Sequence, residues 1–188
     1  MTMMKLGSDS GGPAKMDVSE PGCRLNVMVW NIESFTRGMR PNRRGLEAGR
    51  IRILANTMAV ADIDVAVLLE TGADAGDIRI DGYRTEVTAI TGKPTSAEYD
   101  GETYAILFKD ALAPFMSRPV LVGALDPDYR QAVYFTVADE SKKHQLAICA
   151  IHAPSPGHRL DIRLDVLGRC CDAARRGAAR WPLVFCGD

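Results

Sequence analysis

Two apolar runs decide the fold: Ala132-Val133-Tyr134-Phe135-Thr136-Val137 and Leu146-Ala147-Ile148-Cys149-Ala150-Ile151. Both are rich in residues that suit a pleated, half-buried surface. They are joined by Ala138-Asp139-Glu140-Ser141-Lys142-Lys143-His144, a polar stretch too short for a crossover, so the two strands must be antiparallel. Upstream, Tyr83 to Val87, Tyr104 to Phe108 and Pro119 to Val122 also read as strands, with no clear helix-length segment between them. This excludes a simple doubly wound parallel sheet.

The flanks read differently. Leu25 to Trp30 is a strand. Leu46 to Ala61 has Ile51, Leu54, Met58 and Ala61 at helical spacing, and Val65 to Leu69 is a continuous apolar run of the kind that forms a buried strand. Together they make one strand-helix-strand unit. At the other end, Leu160, Leu164, Leu167, Cys171 and Ala174 mark the expected apolar face of a second helix, which ends near Gly177. Leu183 to Cys186 is a last apolar strand. The stretch from residue 1 to residue 21, with Gly7-Ser8-Asp9-Ser10-Gly11-Gly12-Pro13, reads as a flexible tail, so the expected domain spans residues 22–188.

Composition bounds the classes. The chain has 188 residues, 46% hydrophobic and 25% charged, with a net charge of -1. That suits one globular domain and excludes a generally basic nucleic-acid coat and a disordered chain. No apolar run approaches the roughly 18 residues needed to span a bilayer, and residues 1–21 lack a secretory apolar core. The five cysteines form no C-x-x-C pair, so the expectation is reduced, buried thiols in a cytoplasmic protein. Charge is uneven: six arginines against Glu47 between Arg37 and Arg52, then six acids against Arg79 between Asp62 and Asp81. Such neighbouring segments could juxtapose phosphate-binding and cation-binding groups, or could both be solvated faces.

Four polar residues stand directly after apolar strands: Asn31, Glu70, His152 and Asp188. Strand ends in α/β proteins converge on one rim, where such side chains can meet. Asn, Glu and Asp offer hard oxygen ligands suited to Mg²⁺ or Mn²⁺, and a histidine beside them can transfer protons or bind a phosphate oxygen. A metal and a histidine are the equipment for phosphoester hydrolysis.

Six stretches, in order, resemble the endonuclease/exonuclease/phosphatase family with its deoxyribonuclease-I-like fold. They are Val29-Trp30-Asn31-Ile32, Val67-Leu68-Leu69-Glu70, Glu102-Thr103-Tyr104 through Lys109, Arg130-Gln131-Ala132-Val133, Ile151-His152-Ala153-Pro154-Ser155 and Val184-Phe185-Cys186-Gly187-Asp188. The resemblance implies an α/β sandwich of α+β type, two mixed, mainly antiparallel sheets flanked by helices. It implies a metal-dependent phosphodiesterase, nuclease or phosphatase. Glu70 and Asn31 would hold Mg²⁺ (or Mn²⁺). His152 would bind or protonate the phosphate, and Glu102 would orient His152. Arg130 would donate to a phosphate oxygen, and Asp188 would orient the attacking water or contact the phosphate. The implied partner is a phosphoester substrate, either a nucleic acid or a phospholipid- or inositol-phosphate-like small molecule.

The departures are equally specific. The family's G-D-F-N motif stops here at Asp188, and its closing Asp-His pair does not appear. The chain therefore reads as the incomplete, C-terminally truncated front part of such a domain, with impaired or absent turnover by itself. Asn31-Ile32-Glu33 and Glu70-Thr71-Gly72 lack the basic residues that deoxyribonucleases carry at these places, which weakens the case for a DNA substrate. The alternative is a catalytically inert binding domain of the same fold. Oligomeric state is not legible.

Overall fold

The computed structural model describes residues 2–5, 24–32, 44–71, 73–89, 103–123, 131–141, 145–153 and 159–187. Among the described residues, nine strands and two α-helices run in the order β1 (Thr2–Lys5), β2 (Asn26–Asn31), α1 (Arg44–Val60), β3 (Val65–Thr71), β4 (Tyr83–Val87), β5 (Thr103–Lys109), β6 (Val120–Val122), β7 (Ala132–Ala138), β8 (Gln145–Ile151), α2 (Leu160–Ala178) and β9 (Leu183–Gly187). Single 3₁₀ turns cover Ala73–Asp77 and Asp110–Phe115.

The strands form two mixed sheets. One has the order β1-β2-β3-β5-β4, the other β6-β7-β8-β9. Only β2/β3 and β8/β9 are parallel, and these are the two pairs linked through a helix. Every other pair is antiparallel, as the short links require. The segment read as a tail contains β1, which pairs with β2 from Thr2↔Val29 to Lys5↔Asn26; residues 6–23 lie outside the described residues.

Period-two alternation sorts the side chains into layers. Val27, Val65, Val67, Ile106 and Phe108 from the first sheet meet Val133, Phe135, Val137, Ile148 and Ala150 from the second, forming the central core. The opposite parity of the first sheet, Met28, Ala66, Leu68, Ala105 and Leu107, packs under Leu54 and Met58 of α1. The outer face of the second sheet, Ala132, Cys149 and Ile151, packs under Val166, Cys170 and Ala174 of α2. β3 is covered on both faces, which explains its unbroken apolar run. The result is a four-layer sandwich with helices outside.

Helix α2 corrects one expectation. Its buried residues are Val166, Cys170, Ala174 and Ala178, whereas Leu160 and Leu164 are 66% and 58% exposed. Both stripes have helical spacing, so periodicity alone could not choose between them. The smaller side chains win because the helix lies close to the sheet: a Cβ on Gly177 would sit 3.0 Å from the Tyr134 ring. The four described cysteines are all free. Burial raises the Cys149 thiol well above its ordinary value and pushes Cys186 up to about 11, so both are protonated at neutral pH and behave as small apolar groups.

Candidate active site at the strand-end rim

Asn31, Glu70 and His152 close β2, β3 and β8 at one rim of the sandwich. His152 Nε2 lies 2.8 Å from Glu70 Oε1, and Asn31 Nδ2 donates to the same oxygen at 3.2 Å. Three strands from two sheets thus deliver their polar ends to one carboxylate. His152 is buried, and the Glu70 side chain is 19% exposed.

Alternation explains two of the three placements. Val27 and Ala150 point into the central core, so Asn31 and His152, an even number of residues on, point the same way. Glu70 has the other parity. Ala66 and Leu68 face α1, and a regular β3 would send Glu70 there as well. The strand avoids this with a bulge. Pairing with β5 runs from Val65↔Phe108 to Leu68↔Ala105 and resumes at Thr71↔Thr103, one residue out of step. Glu70 adopts φ 56°, in the left-handed region, which costs a residue with a Cβ about 1–2 kcal/mol. Bulges re-aim side chains, and this one turns the Glu70 carboxylate over the rim to the histidine of the other sheet.

Buried hydroxyls surround this arrangement. Thr71 Oγ1 donates to the Thr103 carbonyl at 2.7 Å, and Thr103 Oγ1 donates to the Thr71 carbonyl at 3.0 Å. The Tyr104 hydroxyl donates to the Gln131 carbonyl at 2.6 Å and accepts from the His152 backbone N–H at 3.2 Å. It therefore ties β5 to the start of β7 and the end of β8. None of these three hydroxyls was assigned a role from sequence. The available signal was a polar group inside or directly after an apolar strand.

Of the six residues singled out from sequence, Asn31, Glu70 and His152 come together. Glu102, Arg130 and Asp188 lie outside the described residues, although each adjoins a described one. Among the described residues the carboxylate against His152 is Glu70, the position expected to hold the metal. Gly187, which precedes Asp188, pairs with Ile151, which precedes His152. Its Cβ position is filled by the Ile151 carbonyl, so only glycine fits there.

Of the acidic segment, Glu70 stands at this rim, whereas Asp62 and Asp64 lie elsewhere. Lys109 Nζ lies 2.6 Å from Asp62 and 2.8 Å from Asp64 at the opposite end of β3 and β5, about 20 Å away along the strand. Asp64 also accepts from the Asn26 backbone N–H, tying the start of β2 to the same cluster. Burial works to lower the Lys109 ammonium pKa, but hydrogen bonds and charge from both aspartates outweigh it and hold the group above its ordinary value. The Lys109 hydrogen bond and charge hold Asp62 below the usual carboxylate value. Arg50 and Arg52 are exposed on α1, and Arg37, Arg40 and Arg43 lie outside the described residues.

A carboxylate and an amide carbonyl are hard oxygen donors, and they fit Mg²⁺ or Mn²⁺, which commonly take one or two protein carboxylates and complete the shell with water. Among the described residues no group of three or more His, Cys, Asp or Glu side chains is arranged to hold a metal. Among them no helix is long and apolar enough to cross a membrane.

These features define a class: a two-sheet α/β sandwich with a polar rim where strands of both sheets end. No protein-family profile matches the sequence, and no curated protein matches it. Solved structures do match. An endonuclease/exonuclease/phosphatase family protein from Bacteroides thetaiotaomicron superposes with a TM-score of 0.65 at 14% identity, covering 87% of this chain and 62% of its own. The mannosyl-6-phosphatase Bt3783 from Bacteroides thetaiotaomicron VPI-5482 gives 0.62 at 14% identity, covering 87% and 64%. TDP2 from Caenorhabditis elegans gives 0.60 at 17% identity, covering 87% and 46%. The chain has the deoxyribonuclease-I-like fold of endonuclease/exonuclease/phosphatase proteins. It spans about half to two thirds of the length of these structures.

Proposed function

We propose that the protein is a divalent-metal-dependent hydrolase of phosphoester bonds, with its chemistry at the Asn31–Glu70–His152 rim. The observation that carries this reading is the meeting of three strand-end residues from both sheets on one carboxylate oxygen. The fold supports it, since the neighbours named above include a phosphatase.

In this reading Glu70 and Asn31 hold Mg²⁺ or Mn²⁺, which when bound supplies positive charge to the scissile phosphate and its leaving oxygen. His152 donates a hydrogen bond or a proton to the phosphate side. The imidazole already stands within hydrogen-bond distance of the Glu70 carboxylate, which fixes the direction in which Nε2 points. Glu102 assists in orienting that ring. Arg130 follows the chain directly into Gln131, whose carbonyl is fixed by Tyr104, and it donates to a phosphate oxygen with its planar fork. Asp188, the residue after Gly187, orients water or contacts the phosphate. The substrate is a phosphoester of a nucleic acid or of a small molecule. The 188-residue chain by itself turns over slowly or not at all, because the Asp-His ending that the resemblance implies does not occur in it.

The test is Mg²⁺-dependent phosphate release by the longest product encoded by the gene, with nucleic-acid and small phosphomonoester and phosphodiester substrates. Glu70→Ala is expected to lower kcat/KM by at least a hundredfold. Unchanged metal-dependent hydrolysis in that variant would sink the assignment. Absence of hydrolysis with retained, saturable phosphoester binding would establish the inert binding domain in its place.

A further inference from the structure

The bulge at Glu70 needs something to hold it. A regular strand would point this side chain at α1, and the left-handed backbone is intrinsically unfavourable for a residue with a side chain. Such a conformation persists only where its surroundings over-determine it. The residue directly after the bulge supplies that constraint. Thr71 is 1% exposed and Thr103 4% exposed, and they face each other in register. Their hydroxyl oxygens are 2.8 Å apart, and each hydroxyl carries one proton. Two protons thus serve three short contacts: the one between the hydroxyls, and one from each hydroxyl to the other residue's carbonyl, at 2.7 and 3.0 Å.

We propose that Thr71 and Thr103 are positioning residues: their reciprocal hydroxyl clamp locks β3 to β5 beyond the bulge and thereby holds Glu70 aimed at Asn31 and His152. Neither threonine touches substrate in this assignment. Each acts through the Glu70 backbone. Where Glu70 carries a metal, the clamp also sets the affinity for that metal, and this part alone rests on the function proposed above.

The geometry makes the clamp separable from ordinary packing. Valine matches threonine in shape and lacks the hydroxyl. Serine keeps the hydroxyl and lacks the methyl. If the clamp positions Glu70, the site follows the hydroxyl. If the two threonines only fill space, the site follows the shape.

The experiment uses the 188-residue chain without metal and reads the ring nitrogens of His152 by ¹⁵N NMR, assigned by loss of the signal in His152→Gln. Thr71→Val and Thr103→Val are expected to shift these resonances toward those of Glu70→Gln, and Thr71→Ser to leave them at wild-type positions. Should either valine variant fail to fold, Thr71→Ala against Thr71→Ser gives the same comparison. Wild-type His152 resonances in a folded Thr71→Val chain, even with a lower unfolding midpoint, would overturn the proposal. A second reading titrates Mn²⁺ by electron paramagnetic resonance. Its dissociation constant should rise about tenfold or more in Thr71→Val and stay unchanged in Thr71→Ser. Where the longest encoded product binds no Mn²⁺ either, the metal assignment of Glu70 is refuted, and the NMR comparison still decides the clamp.

Discussion

Replacing Tyr104 by Phe deletes a single oxygen and leaves the ring in place, so no cavity term enters. That oxygen holds two backbone groups, the Gln131 carbonyl at 2.6 Å and the His152 N–H at 3.2 Å. The ring itself is 1% exposed. Each such bond contributes about 1 kcal/mol net, and withdrawing one partner from a buried group costs about 1–3 kcal/mol. For two bonds, one of them long, the expected loss is about 2–4 kcal/mol. Tyr134 is the matched control. Its hydroxyl is also buried but has no hydrogen-bond partner among the described residues, and burial holds its pKa above the ordinary tyrosine value. Tyr134→Phe removes a desolvated group that is not compensated, so it should be neutral or stabilising by about 1 kcal/mol. Urea unfolding followed by tryptophan fluorescence reads both variants. At a slope of about 2 kcal/mol per molar, Tyr104→Phe should lower the midpoint by about 1–2 M with the slope unchanged. Hydrogen exchange at the His152 amide should accelerate in Tyr104→Phe and not in Tyr134→Phe. Equal midpoints for the two variants would refute the reasoning, because the same atom would then have the same value with and without its partners.

Three further outcomes are expected. Lysine at Leu160 or Leu164 should change stability by no more than about 0.5 kcal/mol, since both are exposed, whereas Ala174→Leu should cost about 1–3 kcal/mol by forcing α2 off the sheet; thermal melts distinguish the two faces. Gly123 has φ 101°, and a Cβ there would lie 2.7 Å from the Cys170 Cα, so Gly123→Ala should destabilise by more than about 2 kcal/mol, read as a lower urea midpoint. The Lys109–Asp62 pair makes stability pH-dependent at both extremes. Asp62 is lowered on folding, so its contribution is present above the unfolded value of 3.8 and is lost as pH falls through the lower folded value. Lys109 is raised, so its contribution is full below 10.5 and is lost as pH rises through the folded value. Lys109→Met should flatten both edges of the stability profile, read below about pH 4 and above about pH 10.5.

Much of the layer pattern was legible because it follows from chain-local rules. Val65 to Leu69 is apolar at every position, and only a strand covered on both faces needs that. The link between β7 and β8 is too short for anything but an antiparallel pair. Helix α1 showed Leu54 and Met58 at the right spacing, and both are fully buried. Asn31, Glu70 and His152 stood out because polar side chains that directly follow apolar strands have few structural reasons to be there. The buried face of α2 was not legible. Two stripes of equal period compete on that helix, and the choice depends on how close the sheet lies and on the Tyr134 ring beneath Gly177, neither of which is a property of the helix sequence. The destination of the acidic segment was not legible either, since Asp62 and Asp64 find their lysine more than forty residues away, at the end of β5 remote from the rim.

The sequence by itself determined most of the strands and both α-helices, though not β1, that strands joined by short links are antiparallel, and which polar residues follow apolar strands. Periodicity, link length and side-chain type act within a few residues and need no partner. Only the tertiary structure decided that Glu70 points at His152. Its place in the alternation assigns it to the α1 side, and a one-residue bulge, next to a threonine paired with another thirty-two positions away, reverses that assignment. A two-residue period sets the direction of a side chain only while pairing stays regular, and where a neighbouring strand breaks the register, the direction is decided by contacts that local sequence does not contain.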